Sequence, residues 1–289
     1  MTKRYSLIRT VSLVLALALA LVLIAPVTSC RQKELVSEKI AVAVSIPPQV
    51  EFVEAVGGEK VDVIVMVPQG TNLHTYEPKP SQITSLAEAD IYAKVGAGVE
   101  FEIAWMDKLI SVNRKMLVVD SSEGIDLMDI EPHIWLSPLN AKVMVQNIYA
   151  GLVQIDPGGR AYYEQNRDTY LRNLTELDRD IRGTLLEVRN RRFMVYHPAF
   201  GYFARDYNLN MIPIEEEGKG PTAAGIAHLI EQAREHNIRV IFVSPQFNPK
   251  SAEVIADAIG GRIVSIDTLA KDYLASLRIF LGELVQAME

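Results

Sequence analysis

Three of the five histidines in this sequence lie in short loops rich in Pro and aromatic residues: NLHTYEPKP around His74, EPHIWLSP around His133 and VYHPAFGYF around His197. His74 and His197 each lie beyond a strand-like apolar run, and Asp267 directly follows the run Ile263–Ile266. Imidazole nitrogen and carboxylate oxygen are the donors that Zn²⁺ and neighbouring divalent metals take. Three neutral imidazoles and one carboxylate would leave such an ion close to singly positive. Pro78, Pro80, Pro132, Pro138 and Pro198 stiffen the loops, which favours a fixed coordination geometry. His228 and His236 fall instead within a predicted surface helix, eight residues apart, and read as solvated or packed side chains.

The elements that must carry these loops alternate in type. Ile40–Ser45, Val61–Val67, Ile91–Val95 and Met116–Val119 read as strands, with helices predicted at Pro48–Val56, Pro80–Ala89 and Val99–Ile110. The pattern returns with strands at Phe193–Tyr196, Met211–Ile214, Val240–Val243 and Ile263–Ile266. Helices are predicted between and after them at Ala199–Tyr207, Thr222–His236, Pro249–Ile259 and Lys271–Met288. Alternation of this kind implies α/β architecture with mostly parallel sheets. The parse is two lobes of about four strands each, without close sequence similarity between them.

Between the lobes, a helical pattern at Ala141–Gln154 breaks at Asp156-Pro157-Gly158-Gly159. From Arg160 to about Asn190, Tyr163, Tyr170, Leu174, Leu177, Ile181, Leu185 and Val188 recur at three- to four-residue steps, as an amphipathic helix requires. One long helix joining the lobes is predicted, the alternative being two helices broken near Gly183. The expected organisation is a leader over 1–30, a first lobe over 31–158, the joining helix over 159–190 and a second lobe over 191–289. Ligands of open α/β sheets bind beyond the carboxyl ends of strands. If those rims face each other, His74 and His133 meet His197 and Asp267 in a cleft. Glu215, Glu216 and Glu217 could border that cleft but read first as a solvated acidic turn.

The leader has basic residues at Lys3, Arg4 and Arg9, an apolar stretch Val11–Val27, and the tetrapeptide Val27-Thr28-Ser29-Cys30. This describes a secretory signal, and the tetrapeptide resembles a bacterial lipobox whose cysteine is acylated. The alternative is an uncleaved membrane anchor; either places the rest of the chain outside the cytoplasm. Cys30 is the only cysteine, so neither disulfides nor thiolate ligands are available to the remainder. Without the leader's three basic residues, 26 remain against 36 acidic ones, and a balance near −10 argues against a nucleic-acid partner. No second stretch approaches the roughly 20 apolar residues of a membrane span.

The strings SIPPQVEFVEAVGGEKVDVIVMVPQGTNLHTYEPKPSQITSLAEADI, EPHIWLSPLNA and HPAFGYFARDYNL resemble, in order, the signature regions of one family. It comprises the zinc- and manganese-binding lipoproteins of bacterial and archaeal ABC importers, the cluster A-I solute-binding proteins. The resemblance implies two α/β lobes joined by a long helix, with a metal held between them by His74, His133, His197 and Asp267. It also implies capture of the ion, Zn²⁺ before Mn²⁺ because three nitrogen donors favour zinc, and delivery to an ABC permease by a lipid-anchored monomer without enzymatic activity. Two departures stand out. Ser121–Glu131 lacks the histidine-rich loop of many zinc-specific members, and Asn72-Leu73 precedes His74 where the family commonly has a small residue and Pro. Two rivals remain: a zinc hydrolase with water in the fourth position, although no His-Glu-x-x-His run appears, and an adhesin lipoprotein stabilised by its metal.

Overall fold

The computed structural model describes residues 39–215 and 218–288. The leader, its Cys30, most of the Lys33–Lys39 tether, Glu216 and Glu217 lie outside the described residues. No described helix is long and apolar enough to cross a membrane.

In the first lobe the order is β1 (Ile40–Val44), α1 (Pro48–Gly57), β2 (Val61–Val65), α2 (Pro80–Leu86), β3 (Ile91–Lys94), α3 (Glu100–Val112) and β4 (Leu117–Asp120). The second lobe runs β5 (Arg192–Val195), α6 (Gly201–Asp206), β6 (Asn210–Pro213), α7 (Ala223–Glu235), β7 (Val240–Val243), α8 (Lys250–Ile259), β8 (Arg262–Ser265) and α9 (Tyr273–Met288). Between them lie α4 (Pro138–Ile155) and α5 (Arg160–Leu186). The expected α/β class holds, and every described strand pair is parallel: β2-β1-β3-β4 in one sheet, β6-β5-β7-β8 in the other. The inner strands β1 and β7 are covered on both faces, so IAVAV and VIFV are unbroken apolar runs.

Helix α4 begins three residues before the predicted start. Ser137 caps it, its hydroxyl accepting from Asn140 N–H, and Pro138 occupies the first turn, where a missing N–H costs nothing. Helix α5 is continuous past Gly183 for 27 residues, about 40 Å at 1.5 Å per residue. It buries Tyr163, Tyr170, Leu174, Leu177, Ile181 and Leu185, while Val188, beyond its end, still packs on the core. The buried stripe lies against α1 and α4 of the first half and against α9 of the second.

Side chains also tie the lobes directly. Glu51 of α1 accepts from Tyr273 N–H (2.5 Å) and Leu274 N–H (3.4 Å) at the start of α9, and from the Tyr170 hydroxyl of α5 (2.6 Å). Trp135 Nε1 donates to the Thr268 carbonyl at 2.8 Å. One hydrophobic cluster runs from Phe52 and Trp135 through Tyr163 to Phe193, Phe203 and Phe280. In β5, Phe193 and Val195 face this cluster, and Met194 faces a second one beneath α7 and α8.

A sheet ordered 2-1-3-4 reverses its winding between the first and third strands, where open α/β sheets form their binding crevice. In the first lobe that crevice is filled. Glu102 of α3 accepts from Val95 N–H at 2.6 Å, Gly96 N–H at 2.8 Å and the Ser45 hydroxyl, closing the loops after β1 and β3 on themselves. In the second lobe the loops after β5 and β7 carry His197 and Phe247, which line one pocket.

Candidate metal centre

His74 sits in the loop between β2 and α2, His133 just before the short 3-10 turn Ile134–Leu136, and His197 in the loop after β5. One ring nitrogen of each can be chosen so that all three lie within 4.8 Å of one another, the only such group among the described residues. His197 Nε2 is 3.2 Å from His74 Nε2 and 3.2 Å from His133 Nε2. Donors about 2.0–2.1 Å from a tetrahedral zinc stand about 3.3 Å apart, so two edges of this triangle already have the required length.

What aims the three Nε2 atoms inward is the partner of each Nδ1. His133 Nδ1 is 2.6 Å from Glu131 Oε1, which also accepts His133 N–H at 3.0 Å. His197 Nδ1 is 2.5 Å from Glu215 Oε1, and His74 Nδ1 is 3.0 Å from Glu100 Oε1. An ionised carboxylate only accepts, so each Nδ1 carries the hydrogen and each Nε2 presents its lone pair. This carboxylate–histidine arrangement orients metal-binding imidazoles and raises their basicity. The hydrogen bond from His74 holds Glu100 below the usual carboxylate range. Burial, reinforced by the other two imidazoles, keeps His197 below its ordinary value despite the raising effect of Glu215, favouring the neutral form that binds metal.

Aromatic rings wall the cluster. Phe247 stacks on His197 with ring centres 4.5 Å apart and planes at 19°, and Trp135 meets His133 edge-on at 5.1 Å. Access from solvent runs through a cleft of about 770 Å³ bordered by Glu100, Glu131, Glu215 and the exposed Ile130.

The structure therefore gathers three of the four residues singled out in the sequence. Asp267, after β8, does not join the histidine group. Its carboxylate accepts instead from Gln69 Nε2 (3.2 Å), Gln246 Nε2 (2.7 Å) and Leu269 N–H (2.9 Å). His228 and His236 lie on and just after α7, remote from the cluster in the groove between α7 and β6. Glu215 differs from its expected place in a solvated turn: it is buried against His197.

Glu100, Glu131 and Glu215 were not legible as partners of the histidines. Glu131 had a local signal, since its two-residue separation from His133 lets one side chain bond the other. Glu100 had none, because only the packing of α3 beside the β2–α2 loop brings it to His74.

Comparison with known proteins gives a consistent picture. The family model described as zinc-uptake complex component A, periplasmic, matches residues 42–287. The high-affinity zinc uptake system protein ZnuA of Bacillus subtilis is 31% identical over 253 residues, covering 80% of this chain and 79% of that protein. A crystal structure of ZnuA superposes with a TM-score of 0.83 at 39% identity, covering 87% of this chain and 100% of the other. A ZnuA deletion mutant with zinc bound superposes with a TM-score of 0.82 at 40% identity, covering 87% and 98%.

Proposed function

The chain belongs to the family of periplasmic zinc-uptake components, and on that footing we propose that it captures Zn²⁺ outside the cytoplasm through His74, His133 and His197 and hands it to the permease of an ABC importer. The observation that carries this reading is the convergence of three Nε2 atoms, two pairs at 3.2 Å, with every Nδ1 committed to a carboxylate. The ligands are neutral nitrogen donors, which suit zinc better than manganese. The three carboxylates behind them bring negative charge to the ion without occupying its coordination positions.

The chemistry is ligand exchange, and no covalent bond is made or broken. Water leaves the ion as the imidazoles replace it, and Phe247 and Trp135 shield the cluster on the sides they wall. Release requires the His74 and His133 loops to part from His197. The shared core and the joining helix limit that motion to a small displacement, which docking on the permease supplies. Acylation of Cys30 would tether the protein at the membrane where the permease lies.

Titration of metal-free protein with Zn²⁺ against a chromophoric chelator, with Mn²⁺ as competitor, tests the capture step. One tight Zn²⁺ site per chain is expected, lost in His74→Ala, His133→Ala and His197→Ala. Equal affinity in His197→Ala, or a preference for Mn²⁺, would remove the proposal.

A further inference from the structure

Gln246 lies in the loop between β7 and α8, within the string SPQFNP. Its Nε2 donates to Asp267 Oδ1 at 2.7 Å. Because a carboxylate offers only acceptors, this bond fixes which end of the amide faces Asp267. The carbonyl oxygen must then turn the other way, where Oε1 is buried without a hydrogen-bond partner. Buried acceptors are normally satisfied, so an orphan one calls for a reason.

The position of the residue supplies one. Gln246 lines, together with His74, His133 and His197, a cavity of about 10 Å³, room for a single water-sized body. Topology agrees. The second lobe's sheet reverses its winding between β5 and β7, His197 follows β5 and Gln246 follows β7, so both stand at the crevice where open sheets bind their ligands. Charge agrees as well. Glu100, Glu131 and Glu215 already place three carboxylates behind the imidazoles, so a neutral oxygen completes the shell without adding a fourth negative charge.

Resting on the metal-capture reading above, we infer that Gln246 Oε1 is the fourth donor to the captured cation and that Asp267 is a positioning residue holding the Gln246 amide in place. Asp267 is suited to that task because Gln69 Nε2 and Leu269 N–H pin its carboxylate from other directions. The orphan oxygen then has its partner whenever the ion is bound.

The test compares the unsubstituted protein with Gln246→Ala, Gln246→Met, Asp267→Leu and His197→Ala. It reads Zn²⁺ affinity by chelator competition and coordination by the visible absorption band of the Co²⁺-loaded protein. Gln246→Met preserves bulk in the loop, so a shared effect of both Gln246 variants is not a folding defect. Both should bind Zn²⁺ at least ten-fold more weakly and alter the Co²⁺ band. Asp267→Leu should do the same by freeing the amide. Wild-type affinity or an unchanged Co²⁺ band in Gln246→Ala and Gln246→Met, while His197→Ala loses the metal, overturns the inference and leaves metal capture standing. Failure of the unsubstituted protein to bind Zn²⁺ removes both.

Discussion

An imidazole that gives its Nδ1–H to a carboxylate is held in one tautomer and one orientation, and its Nε2 becomes the better donor. Each of the three site histidines has such a partner, and the strongest geometry belongs to Glu215, buried and 2.5 Å from His197. Replacing it by Ala should weaken Zn²⁺ binding by about 10- to 100-fold, the usual effect of losing an orienting acceptor. Chelator competition at pH 7 reads this directly, and an affinity matching the unsubstituted protein would show that Phe247 stacking alone orients the ring. The same scale separates His228 and His236 from the site. They share residue type with the three clustered histidines but line the groove between α7 and β6.

Among the elements, α3 has two duties. Its first residue, Glu100, reaches His74, and two residues on, Glu102 bonds the loop after β3. Burial pushes the Glu102 carboxyl up to about 7, outweighing the lowering effect of Ser45, Gly96 and Val95. The native state thus keeps the proton up to about pH 7, whereas an unfolded chain releases it near the usual value of about 4.3. Between those values the native state holds more protons, so stability is greatest at the acid end, falls as pH rises to about 7, and then levels. The swing attributable to this group is on the order of 3 kcal/mol. Urea unfolding of the metal-free protein from pH 5 to 8 should show this contribution as a slope more negative than that of Glu102→Gln, because the lowered His197 acts in the opposite sense in both proteins. An undiminished slope in that variant would place the titration elsewhere.

Across the whole molecule, the lobes are joined by more than α5. Glu51 caps α9 from the opposite lobe and takes the Tyr170 hydroxyl of the joining helix, so three elements depend on one carboxylate. Glu51→Ala leaves those donors unsatisfied and should destabilise the protein by about 2 kcal/mol. Because the principal hydrophobic cluster spans both lobes, the variant should still unfold in one cooperative transition, with a lower midpoint by circular dichroism. Two separated transitions would mean that the lobes fold independently.

The sequence by itself determined the elements. Strand and helix patterning is local, so the eight strands and the long helix were legible within a few residues of their ends. Helix α4 starts three residues before its apolar pattern because the Ser137 cap and Pro138, rather than a hydrophobic repeat, set its first turn. Three histidines in stiff loops beyond apolar runs were legible too, as a loop after a strand lies on a predictable rim. Partnership across long separations was decided only by tertiary structure. Glu100 to His74 depends on how a helix docks beside a loop, and Glu215 to His197 on how two parallel strands set their rims level. Asp267 shows the limit most clearly. Residue type and position placed it at the rim, yet whether its carboxylate faces an ion or the amides of Gln69 and Gln246 depends on which donors reach it first. That choice is made by packing, which a one-dimensional pattern does not contain.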